Sequence, residues 1–122
     1  MEEKKKILVV EDDKLNQLAY KGVLSKEYNV TICGDNTEFY ISLNRFTYDL
    51  FIIDLALNCE KNGIDLIKEL RQMKEYERTP IIVVTAWTLK KDEKISLEAG
   101  ADKFITKPFV NKTLLEEIGK CF

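Results

Sequence analysis

The feature that most constrains this chain is a run of four apolar residues that recurs, each time stopping at an acid or a hydroxyl. Ile7-Leu8-Val9-Val10 stops at Glu11, Leu50-Phe51-Ile52-Ile53 at Asp54, and Ile81-Ile82-Val83-Val84 at Thr85. Short apolar runs without alternation predict strands covered on both faces, as in a parallel sheet between helices. Asn29 to Cys33 predicts another strand, stopped by Gly34, and Lys103 to Thr106 a short last one. Pro80 fits ahead of its strand, where no backbone donor is needed.

Helical spacing fills the intervals. Leu15, Leu18, Ala19, Gly22 and Val23 share one predicted helical face, and Phe39, Leu43 and Phe46 mark a second helix. Leu66, Ile67, Leu70 and Met73 mark a third, and Leu114, Leu115, Ile118 and Phe122 the last. The stretch from Leu89 to Ala99 has a poor apolar face (Leu89, Ile95, Ala99), which predicts a mobile helix or a contact surface, with Gly100 as its C-terminal cap. Five strand-helix units result, with right-handed crossovers and helices on both sheet faces. Ligands of such a sheet bind outside the carboxyl ends of its strands, so the residues there decide function.

Those ends carry Glu11-Asp12-Asp13, Asp54, Thr85-Ala86 and Lys107-Pro108. Carboxylates crowded into one crevice either raise a pKa or admit a cation. Hard oxygen donors on a rigid scaffold favour Mg²⁺, with Mn²⁺ the nearest substitute. Asp54 can serve as a nucleophile toward phosphorus. Lys107 can pair with a phosphoryl oxygen as a point charge, and Thr85 can donate a hydrogen bond to another. Taken singly, Asp13 reads as a helix cap, Lys107 as solvated surface and Thr85 as a strand former. The joint occurrence carries the chemistry.

Composition narrows the field. The chain contains no histidine, so Ser-His-Asp and Cys-His catalysis cannot be built, and a phosphorelay role falls on the aspartate side. Cys33, Cys59 and Cys121 have no CxxC spacing and predict free thiols in the cytoplasm. Net charge is −2, with no basic patch of the kind that binds nucleic acid. The apolar runs are far too short to span a membrane.

The ordered set Ile7-Leu8-Val9-Val10-Glu11-Asp12, Asp54, Val84-Thr85-Ala86, Glu98-Ala99-Gly100-Ala101-Asp102 and Lys107-Pro108-Phe109 resembles the receiver domains of bacterial two-component response regulators. The resemblance spans essentially the whole chain and implies one receiver domain over residues 1–122 with no output domain. It implies an α/β fold with a five-stranded parallel sheet in the flavodoxin-like order 2-1-3-4-5 and helices on both faces. Asp54 matches the phosphoacceptor. Glu11, Asp12, Asp54 and the backbone carbonyl of Ala56 match the magnesium ligands, with Asp12 the better candidate of the acidic pair for direct contact. Thr85 and Phe104 match the switch pair, Lys107 the phosphoryl-pairing lysine, and Lys107-Pro108 a cis peptide bond. The implied partners are a histidine kinase or histidine phosphotransfer protein, and a downstream protein at the face of helix 4, strand 5 and helix 5. Asn16, within Glu11 to Asn16, is similar to receivers joined to hybrid sensor kinases.

Two departures stand out. The segment Leu55 to Gly63 lacks the proline usual in the family and has one residue more. Trp87 occupies a variable position at the mouth of the site, where it either shields the site or covers the fourth helix. Other readings fare worse. A flavodoxin-like cofactor binder needs an open phosphate loop after strand 1, where this chain is acidic. A phosphatase of outside substrates needs a second acid where Ala56 stands. A phosphorylation-independent pseudo-receiver, acting as a binding module, is disfavoured by the complete residue set.

Overall fold

The computed structural model describes residues 3–122. The strands are β1 Lys6–Val10, β2 Asn29–Cys33, β3 Leu50–Ile53, β4 Ile81–Thr85 and β5 Lys103–Thr106. The helices are α1 Lys14–Leu24, α2 Asn36–Arg45, α3 Gly63–Gln72, α4 Lys90–Ala99 and α5 Asn111–Gly119, with a 3₁₀ turn at Lys74–Tyr76. All strand pairs are parallel, in the order β2-β1-β3-β4-β5. The expected fold class and strand order are therefore found.

The three apolar runs are buried throughout, and their alternate side chains feed two cores. Leu8, Val10, Phe51, Ile53, Ile81 and Val83 face α2 and α3, where they meet Phe39, Leu66, Ile67 and Leu70. Ile7, Val9, Leu50, Ile52, Ile82 and Val84 face α1 and α5, where they meet Tyr20, Leu24, Leu114 and Ile118. A strand with both faces buried must be apolar at every position, which explains the unbroken runs.

Periodicity misplaced the inner face of α1. Leu15 and Leu18 are 76% and 66% exposed, whereas Tyr20 and Leu24 are fully buried. Tyr20 stacks on Phe109 with ring centroids 4.9 Å apart. The amphipathic residues Gln17 and Tyr20 turn inward toward the polar crevice, which leaves Leu15 and Leu18 on the outer face. Phe46 and Phe122 are also about half exposed, beyond the ends of their helices. Asp13 does cap α1, accepting the Asn16 amide at 2.9 Å. Gly100 closes α4 at φ +128°, a conformation that favours glycine. Among the described residues, no helix is long and apolar enough to cross a membrane.

Candidate functional site

The carboxyl ends of β1, β3 and β5 meet in one crevice. Glu11 and Asp12 follow β1, Asp54 follows β3, and Lys107 follows β5. The backbone joins these ends: the Asp54 amide donates to the Val10 carbonyl at 3.1 Å, and the Lys107 amide to the Thr85 carbonyl at 2.8 Å. The position of each functional group is therefore inherited from the sheet ladder.

Lys107 Nζ donates to Glu11 Oε1 and to Asp54 Oδ2, each at 2.6 Å. Both acids are almost wholly buried. The other oxygen of Asp54 accepts the Ala56 amide at 3.0 Å, and the other oxygen of Glu11 accepts the Asp13 amide at 3.1 Å. Asp12 accepts the Asn58 amide at 2.8 Å. The sequence-predicted residues Glu11, Asp12, Asp54 and Lys107 are thus brought together, with Ala56 against Asp54.

Thr85 is fully buried at the end of β4, and its hydroxyl accepts the Trp87 amide at 3.3 Å. Phe104 pairs with Val83 in the sheet and is half-buried against the α2–α3 core. Trp87 is 39% exposed and lines a pocket of about 240 Å³ with Leu55, Ile64 and Ile95. It therefore stands between the β3–α3 segment and α4. The Lys107-Pro108 bond is cis, as the resemblance implies.

Three carboxylates face one ammonium, so the crevice carries excess negative charge. Burial pushes the Glu11 carboxyl above the ordinary carboxylate range, against the pull of Lys107 and the Asp13 amide. Burial also opposes the charge on Lys107, but hydrogen bonds to Asp54 and Glu11 outweigh it and hold the ammonium above its usual value. Glu11, Asp12 and Asp54 each offer an oxygen, all within 4.8 Å of one another. An all-oxygen, net-negative set of this size suits a hard divalent cation such as Mg²⁺.

Sequence reasoning missed several contributors. Gln17 Nε2 donates to the Glu11 carbonyl at 2.6 Å, and Tyr20 is buried on the same side of α1. Gly63 is required for space: a Cβ there would press on the Asp54 carbonyl oxygen and lie 2.7 Å from Leu55 Cα. Its position as the first residue of the apolar helix α3 was the one available signal.

Crowded acids facing a lysine, at the carboxyl ends of a parallel sheet wound in this order, define an α/β domain built for an anionic group and its counter-ion. The chain belongs to the response regulator receiver domain family, which matches residues 7–119. It is 38% identical over 114 residues to the transcriptional regulatory protein CpxR of Klebsiella pneumoniae, covering 93% of this chain and 47% of that protein. Over 121 residues it is 33% identical to hybrid signal transduction histidine kinase I of Dictyostelium discoideum, covering 93% of this chain and 7% of that protein. The receiver domain of a Pseudomonas aeruginosa sensor histidine kinase, solved with a magnesium ion in its active-site cleft, is 30% identical with a TM-score of 0.85, over 96% of each chain. The chain spans about half the length of the first curated relatives it matches. It is thus a receiver domain of two-component signalling.

Proposed function

We propose that the chain accepts a phosphoryl group on Asp54 in a magnesium-dependent reaction and passes on the signal as a change of shape. The observation that carries this reading is the placement of Lys107 Nζ, 2.6 Å from both Glu11 and Asp54, beside an acid cluster of metal-binding size. Glu11, Asp12, Asp54 and the carbonyl of Ala56 would hold Mg²⁺, with Mn²⁺ able to replace it. The bound ion would offset the excess acid and the charge on the incoming phosphoryl oxygens.

An Asp54 carboxylate oxygen attacks phosphorus. The bond from phosphorus to the donor's imidazole nitrogen breaks, and its electron pair stays on that nitrogen. Lys107 passes from the carboxylate to a phosphoryl oxygen. Thr85 exchanges its long 3.3 Å bond from the Trp87 amide for a bond to the new anion. Phe104, half-buried on the neighbouring strand β5, turns inward and alters the surface formed by α4, β5 and α5.

The donor is a histidine kinase or a histidine phosphotransfer protein in the cytoplasm, and a downstream protein reads the α4–β5–α5 face. The receiver domain accounts for residues 7–119 of the chain. The domain modifies itself and slowly hydrolyses its own phosphoryl group, without turning over outside substrates. The test is intact mass after incubation with a small phosphodonor, with and without Mg²⁺. A gain of one phosphoryl group that needs both Mg²⁺ and Asp54, and is lost in Asp54→Asn, is expected. No gain despite bound Mg²⁺ would leave a module that binds partners without phosphorylation.

A further inference from the structure

The segment between Asp54 and α3 has few anchors of its own. Leu57 is buried at one end, and Asn62 caps α3 at the other, where its side chain and that of Asp65 each accept the other's amide at 3.1 Å. Asn58, Cys59, Glu60 and Lys61 lie between these points, without regular structure. Yet the Asn58 amide is aimed at Asp12 Oδ2 at 2.8 Å. A loop amide can orient a carboxylate only if the loop itself is held.

Besides the packing of Cys59 against the core, the hold comes from α2. Asn36, in its first turn, accepts the Lys61 amide at 2.9 Å and donates to the Lys61 carbonyl at 3.2 Å. One side-chain amide thus closes both backbone groups of a single loop residue, as a neighbouring strand would. One turn further along α2, the Tyr40 hydroxyl accepts from Lys61 Nζ at 2.8 Å and donates to Glu69 of α3 at 2.7 Å. The platform is itself fixed. Asp35 accepts the Glu38 amide and Glu38 accepts the Gly34 amide, each at 2.7 Å. Asn36 is the one side chain on α2 that bonds to the loop backbone among the described residues.

We propose that Asn36 is a positioning residue for magnesium binding: it clamps the Lys61 backbone so that the Asn58 amide fixes the free oxygen of Asp12 toward the acid cluster. The proposal rests on the reading of Asp12 as a metal ligand. Asn36 touches neither the ion nor the phosphoryl group. Its effect is therefore expected in metal affinity rather than in the chemistry of Asp54, because outer partners set the orientation of ligating carboxylates.

The test compares Mg²⁺ affinity by calorimetry in the full chain, in Asn36→Ala and in Lys61→Ala. Asn36→Ala should weaken binding roughly tenfold, the low end of what outer partners contribute. It should also shift the Asn58 amide resonance and leave the phosphorylation rate at saturating Mg²⁺ near that of the unchanged protein. Lys61→Ala keeps the backbone clamp and should bind Mg²⁺ as the unchanged protein does. Equal losses in both variants would assign the effect to the Lys61 side chain and overturn the proposal, as would Asn36→Ala binding unchanged with an unmoved Asn58 amide. Amide hydrogen exchange in the unchanged protein needs no variant: the Lys61 and Asn58 amides must both be protected, and rapid exchange at both would overturn the clamp. Failure of the unchanged protein to bind Mg²⁺ at all would instead overturn the reading of the site on which the clamp rests.

Discussion

Two neighbouring helices of equal length are built to opposite standards. α3 buries Gly63, Leu66, Ile67 and Leu70 and starts with a reciprocal Asn62–Asp65 cap. α4 buries only Ser96, while Leu89, Ile95 and Leu97 remain 58%, 46% and 42% exposed. Its start has one side-chain bond, from the Leu89 amide to Asp92 at 3.2 Å, since a leucine side chain cannot accept in return. α3 leads out of the Asp54 loop, whereas α4 follows Thr85. The half proposed to hold the chemistry is firmly packed, and the half proposed to report it is loosely attached, as a switch element must be.

Breaking the firm side should have the largest effects. Lys107→Ala leaves Glu11 and Asp54 buried without a cation. It should cost about 3 kcal/mol at neutral pH by urea unfolding and slow phosphoryl uptake sharply in the mass assay. The sign of its pH dependence follows from Glu11, whose carboxyl burial already raises. Without Lys107 that value rises further, the folded state binds the proton more tightly than the unfolded chain, and stability recovers as pH falls toward the ordinary carboxylate range. A deficit that grows on acidification would contradict the charge argument.

Leu66→Ala in α3 should also cost about 3 kcal/mol, through lost transfer energy and an unfilled cavity. Gly63→Ala forces β3 and α3 apart at the site and should cost about 2 kcal/mol, with weaker Mg²⁺ binding in calorimetry. On the loose side, Ile95→Ala should change unfolding free energy by less than about 0.5 kcal/mol. Comparable losses at Leu66 and Ile95 would abolish the contrast between the helices.

The smallest effect is expected where β5 meets α5. Lys103 bonds Glu117 at 2.6 Å, and Lys103 followed by Lys120 holds the Glu117 carboxyl below its ordinary value. A depressed folded value contributes stability above the ordinary carboxylate pKa and loses it as pH falls through the depressed one. Glu117→Gln should lower the thermal midpoint slightly at neutral pH, and the gap from the unchanged protein should close on acidification.

The strands, their ends and the crevice were legible in the sequence because two-sided burial leaves no room for a polar residue inside a run. Glu11, Asp54 and Thr85 are conspicuous because each ends such a run, whereas Lys107 follows β5, whose residues are only partly buried or exposed. The inner face of α1 was not legible. Tyr20 and Gln17 are amphipathic, and which way they turn depends on a polar crevice supplied by distant strands. Asn36 and Lys61 were hidden for a related reason, since their bond joins residues 25 apart through backbone groups that carry no sequence signature.

Amide hydrogen exchange before and after phosphoryl transfer, in the presence of Mg²⁺, tests the division between the two halves most directly. Altered protection should concentrate in α4 and in β5 around Phe104, while β1 and the body of α3 keep theirs. Equal changes in α3 and α4, or changes confined to the segment between Asn58 and Gly63, would contradict a firm site coupled to a loose reporting face.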